Sequence, residues 1–181
     1  MDKGYLQIYT GEGKGKTTAA LGLALRALGA GLSVFLGQFI KGMRYSEIEA
    51  LDRLAKAFLK KDGSTALEVR QFGRGCFIRR APEPADIEAA ASGLAAARQA
   101  MLSGKWDLVI LDEINVALSI GLLSEAEVLG FLDERPETVE LVLTGRGAPA
   151  SLIERADLAT EMKAVKHYYK QGVEGRKGIE S

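Results

Sequence analysis

The stretch Leu6-Gln7-Ile8-Tyr9-Thr10-Gly11-Glu12-Gly13-Lys14-Gly15-Lys16-Thr17-Thr18-Ala19-Ala20-Leu21 decides the fold. A short apolar run suited to a buried strand meets a turn rich in glycine, and the turn opens into Ala and Leu at helical spacing. Glycines let the backbone aim several N–H groups at one anion, and the helix N-terminus adds its partial positive charge. Lys16 is placed to neutralise phosphate oxygens, and the Thr17 hydroxyl to ligate a Mg2+ that bridges them. The usual phosphate loop has four residues between its first glycine and the Gly-Lys pair, whereas Gly11 and Gly15 enclose three. The cradle is one residue short, and Thr10 stands where the longer pattern would want glycine.

Outward from this loop, short apolar runs alternate with longer stretches of helical period. Strands are expected at Leu6 to Tyr9, Val34 to Phe39, Leu67 to Gln71, Leu108 to Leu111, Leu141 to Thr144 and Leu158 to Val165. Helices are expected at Thr17 to Leu28, Ser46 to Lys60, Ala85 to Leu102, Ser124 to Glu134 and Pro149 to Ala156. Ser46 with Glu49 and Ser124 with Glu127 have the capping-box spacing, and Pro84 suits a first helical turn. This alternation predicts an α/β fold: a single P-loop, RecA-like domain whose mainly parallel sheet is covered by helices on both faces. It would span residues 1–181, with 167–181 a C-terminal tail. Ligands in such sheets gather beyond the carboxyl ends of the strands. The segment Phe72 to Pro82, with Cys76-Phe77-Ile78, reads as the longest irregular loop, either a functional flap or simple packing.

Composition removes several chemistries. Twenty-four Lys and Arg balance 24 Asp and Glu, so no global field holds the chain on nucleic acid or anionic lipid. Lys163, Lys166, Lys170, Arg176 and Lys177 form either a local basic cluster or a solvated tail. Cys76 is the only cysteine and His167 the only histidine, which excludes intrachain disulfides, thiolate zinc clusters and two-His metal sites. Without a leader or an apolar run of membrane-spanning length, a cytoplasmic protein is expected.

Other strand ends carry candidate ligands. The run Trp106 to Leu111 ends in Asp112-Glu113, an acidic pair that could support Mg2+ or merely cap a following helix. Thr144-Gly145-Arg146-Gly147 follows another apolar strand, so Arg146 emerges on the cradle's edge, where it could pair with phosphate or remain a surface arginine. Gln38 and Lys41 lie at or beyond a third strand end, where either could face the ligand or simply be a solvated loop residue.

Together with Gln38-Phe39-Ile40-Lys41-Gly42, Leu111-Asp112-Glu113, Leu143-Thr144-Gly145-Arg146-Gly147, Val165-Lys166-His167 and Gly178-Ile179, the phosphate loop resembles that of the P-loop ATP:corrinoid adenosyltransferases. The short cradle belongs to this pattern. The resemblance implies transfer of the 5′-deoxyadenosyl group of ATP to Co(I) of a reduced corrinoid, with release of triphosphate. Cobalt is itself the nucleophile, which agrees with the scarcity of His and Cys. It further implies that Gly11, Glu12, Gly13, Lys14, Gly15, Lys16, Thr17 and Thr18 hold the triphosphate, that Thr17 and Glu113 support Mg2+, and that Arg26 and Arg146 contact ATP. Lys16, Glu113 and Arg146 would be the catalytic set. A homodimer and a reductase supplying Co(I) are expected as partners. Glu12 falls where the family often has a neutral polar residue, so its carboxylate should point away from phosphate or interact with it through metal or water. An ATP-hydrolysing P-loop protein or a kinase-like nucleotide-binding module is the alternative, and the phosphate product separates them.

Overall fold

The computed structural model describes residues 2–75 and 81–180. Six strands, β1 (Leu6–Thr10), β2 (Val34–Lys41), β3 (Leu67–Gly75), β4 (Leu108–Asp112), β5 (Glu140–Thr144) and β6 (Leu158–Glu161), form one sheet of order β3-β2-β4-β5-β1-β6. Every pairing is parallel. The described helices are α1 (Lys16–Gly29), α2 (Ser46–Ala57), α3 (Pro84–Leu102), α4 (Ile114–Ser119), α5 (Glu125–Asp133) and α6 (Ala150–Arg155). The expected RecA-like P-loop architecture is the one found.

Side chains alternate across each central strand and split the core in two. Phe35, Val109, Leu111, Leu141 and Leu143 join Ala97, Phe131 and Leu152 from α3, α5 and α6 on one face. Val34, Leu36, Leu108, Ile110 and Val142 meet Ala20, Ala24, Ile48 and Leu51 from α1 and α2 on the other. The central strands are buried on both faces, which is why they read as continuous apolar runs.

Several boundaries differ from the sequence reading. The strand expected at Leu158 to Val165 ends at Glu161, because the chain leaves the sheet there to pass behind the phosphate loop. Phe72 to Gly75, read as loop, extends β3 and pairs with β2; Cys76-Phe77-Ile78 lie outside the described residues. The Ser46–Glu49 capping box is not formed, since Tyr45 takes the N-cap and Ser46 is already helical. That helix stops at Ala57, and Leu59 instead bridges Thr65. The Ser124–Glu127 box is present, and Pro84 occupies the first turn of α3 behind a Glu83–Asp86 box that the sequence reading missed. Helix α4 was also missed; six residues are too few to show a helical period.

Candidate active site

The carboxyl ends of β1, β2, β4 and β5 share one edge of the sheet, and the candidate residues follow them. Gly15 closes the phosphate loop as the N-cap of α1 at φ 116°, a left-handed conformation that only glycine adopts without strain. Lys16, the first helical residue, is buried, and its Nζ donates to the carbonyls of Gly11 at 2.6 Å and Gly13 at 2.8 Å. From behind, the Gly13 N–H donates to the Met162 carbonyl at 2.6 Å, and the Met162 N–H to Thr10 O at 2.8 Å. A Cβ on Gly13 would lie 2.7 Å from the Met162 carbonyl oxygen, so this close approach also demands glycine.

Asp112 ties the loop to its neighbours. Its fully buried carboxylate accepts from Thr17 Oγ1 at 2.8 Å and Thr144 Oγ1 at 2.7 Å on one oxygen, and from Gln38 Nε2 at 3.2 Å and Lys41 Nζ at 3.1 Å on the other. Thr144 in turn accepts the Glu113 N–H at 3.0 Å. Four elements are thereby joined through one side chain. Glu113 has the opposite character: it turns out of the strand in left-handed geometry (φ 61°), and its carboxylate has no hydrogen-bond or ion-pair partner among the described residues. Burial, with the adjacent Asp112 charge second, raises its pKa, while Lys41, Lys16 and Arg146 pull it down. The acidic pair is thus divided: Asp112 is saturated with internal donors, and Glu113 is the carboxylate left to meet a ligand.

Lys41 reaches Asp112 through a distortion of β2. Ile40 has φ 67°, rare for a β-branched residue, at an irregularity between Phe39 and Lys41 in the pairing with β3. Such a conformation costs on the order of 1–3 kcal/mol and persists only where its surroundings hold it. Here Ile40 is buried, and Gly73 packs so closely that a Cβ would sit 2.1 Å from the Ile40 carbonyl oxygen. Burial pushes the Lys41 pKa down, but Asp112 and Glu113 outweigh it and the net shift is upward. For Lys16 the balance is reversed. Burial and then Arg146 lower its pKa against Glu113, Glu12 and Asp112, whose charges all reach the ammonium.

Arg146 leaves β5 beside this cluster and pairs with Glu12 at 3.3 Å; both are largely exposed. The Glu12 carboxylate therefore has a cation of its own. Asn115, buried at the start of α4, donates from Nδ2 to Gly145 O at 3.3 Å and links the Glu113 turn to the Arg146 turn. Thr18 is exposed on α1. Arg26 stands in the last turn of α1, while the cradle caps the helix's first turn; the structure does not bring it to the cluster, and its charge reaches Tyr9 instead. Lys14 points away from Lys16 toward the C-terminal residues. Thr144, Asn115 and Met162 went unassigned in the sequence reading. Only Thr144 carried a signal, a hydroxyl at the end of a buried strand.

Parallel strands that bring a glycine-rich loop and the head of α1 to one edge of the sheet give this chain the fold of a P-loop protein. The family model for ATP:corrinoid adenosyltransferase BtuR/CobO/CobP matches residues 2–181, and the chain belongs to that family. It is 37% identical over 179 residues to the corrinoid adenosyltransferase of Pseudomonas aeruginosa, covering 99% of this chain and 84% of that one. To the corrinoid adenosyltransferase of Escherichia coli K12 it is 32% identical over 179 residues, covering 99% and 86%. Among solved structures, the flagellar accessory protein FlaH from Methanocaldococcus jannaschii shares the fold, with a TM-score of 0.59 at 17% identity over 89% of this chain and 72% of that one. The activity is ATP-dependent adenosylation of corrinoids, and the enzyme is a transferase. Among the described residues, no helix is long and apolar enough to cross a membrane.

Proposed function

We propose that the Gly11–Thr18 loop holds the triphosphate of ATP, that Thr17 and Glu113 carry Mg2+, and that Co(I) of the corrinoid attacks the ribose C5′ above this edge. The observation that carries the reading is the division of labour between the two acidic residues. Asp112 spends its lone pairs on Thr17, Thr144, Gln38 and Lys41, which leaves Glu113, beside Lys16, without a hydrogen-bond or ion-pair partner among the described residues. Thr17 donates its proton to Asp112, so its oxygen retains lone pairs for a metal. Hydroxyl and carboxylate oxygens suit Mg2+, which takes one or two protein carboxylates and completes its shell with phosphate oxygens and water. Bound there, the ion would neutralise triphosphate charge.

In the transfer, the cobalt electron pair forms the Co–C5′ bond as the C5′–O bond breaks, and the latter's electrons leave on triphosphate. Cobalt passes formally from Co(I) to Co(III), and no proton needs to move. Lys16 would swing from the Gly11 and Gly13 carbonyls to the phosphates, and Arg146 would trade Glu12 for the same growing charge. Because the nucleophile arrives with the substrate, the chain's task is alignment and charge stabilisation. Arg26, in the last turn of α1, would serve the base or ribose rather than the phosphates. A reductase that supplies Co(I), a homodimeric assembly and a cytoplasmic location complete it, supported by the chemistry of Co(I), the family resemblance and the single cysteine.

Anaerobic incubation with Mg-ATP and chemically reduced corrinoid tests the reaction. Triphosphate and a light-sensitive adenosylated corrinoid should form in equal amounts and only when Co(I) is present. ADP and orthophosphate released at the same rate with or without Co(I) would overturn the reading in favour of an ATPase.

A further inference from the structure

The C-terminal residues do not behave as a free tail. Lys14, between two glycines of the phosphate loop, donates from Nζ to three acceptors, and all three come from the last 14 residues: Tyr168 Oη at 3.2 Å, the Ile179 carbonyl at 3.0 Å and Glu180 Oε1 at 3.1 Å. Tyr168 donates its own hydroxyl to Glu180. Arg176 grips the same carboxylate, through its backbone N–H at 2.8 Å and its Nη2 at 3.0 Å, and its guanidinium lies 5.1 Å from the centre of the Tyr168 ring. The lone His167 caps the 3-10 turn Tyr168–Gln171 by accepting the Tyr169 N–H at 3.2 Å. Upstream, Met162 grips Gly13 from behind. The loop is therefore held at two successive residues by the chain that follows β6.

A phosphate loop binds well only if its N–H groups already point inward, and a glycine-rich loop has more conformations to lose than any other. We infer that Tyr168 and Glu180 are positioning residues for ATP: by clamping Lys14 outward they preorganise the short cradle while Lys16 serves its interior. The inference rests on the assignment of Gly11–Thr18 to the triphosphate. Charge alone makes the opposite forecast, since an anion near a triphosphate should weaken binding and its removal should strengthen it.

The sign of the effect is the test. In the full chain, Glu180→Ala and Tyr168→Phe should each weaken Mg-ATP, by about fivefold in Kd and KM, with kcat at saturating ATP and Tm close to wild type. Tyr168→Phe changes no charge, so a loss there isolates the clamp. In a Lys14→Met background, Glu180→Ala should add nothing, because both act through one contact. Unchanged or tighter ATP binding in Glu180→Ala and Tyr168→Phe, or losses that simply add in the double variant, would overturn the clamp. If wild-type chain fails to bind Mg-ATP at all, the cradle assignment itself falls, and the clamp with it.

Discussion

Two lysine–carboxylate pairs flank the phosphate loop at the same separation of 3.1 Å, Lys41–Asp112 within the fold and Lys14–Glu180 outside it. The inner side chains are 13% and 1% exposed, the outer ones 41% and 18%. Distance therefore says little about what each pair does. A buried pair matters because breaking it strands a desolvated charge, at a cost of about 3–5 kcal/mol. An exposed pair is worth at most about 1 kcal/mol and is screened by salt. The inner pair, with Thr17, Thr144 and Gln38, fixes where the edge of the sheet stands. The outer pair adjusts a loop already placed.

Asp112→Ala leaves Lys41 buried without its partner and should destabilise the fold by about 3–5 kcal/mol in denaturant titrations, with little dependence on salt. A loss under 1 kcal/mol would mean that the inner network is as dispensable as the outer one.

Glu113→Gln should separate function from stability. The folded pKa of Glu113 lies above its unfolded value, so the stability it contributes is present below the ordinary carboxylate range and lost as pH rises through the raised value. The variant should match wild type in Tm at acid pH and slightly exceed it near neutrality, while activity falls, most sharply at low Mg2+. Wild-type turnover across a Mg2+ titration would remove Glu113 from the metal.

The smallest effect belongs to the outer pair. Glu180→Ala should leave Tm close to wild type, and any difference should shrink as salt is raised. An undiminished difference at high salt would show that the tail packs as part of the core.

Much of this molecule was legible in its sequence. Runs such as Leu108 to Leu111 announced strands buried on both faces, and Gly11, Gly13 and Gly15 ahead of Lys16-Thr17 announced the cradle. The roles of Asp112 and Glu113 could not be separated, because adjacent carboxylates at a strand end look alike until their partners are known. Those partners, Thr17, Lys41 and Thr144, lie 95, 71 and 32 residues away. Ser46–Glu49 had the right spacing and lost the cap to Tyr45, since spacing fixes reach and not helix register. The charged end of the chain stays open in sequence between a local basic cluster and a solvated tail, because ion pairs such as Lys14–Glu180 leave no periodic trace.

On ATP binding, Lys16 is expected to turn from the loop's carbonyls to the phosphates. Mg-ATP affinity of Lys16→Ala, measured beside its thermal unfolding, tests it most directly. The expected result is a folded protein whose affinity has dropped by about 2 kcal/mol or more, roughly thirtyfold, from loss of a charge-assisted phosphate contact. A folded Lys16→Ala chain that binds Mg-ATP as tightly as wild type would contradict it.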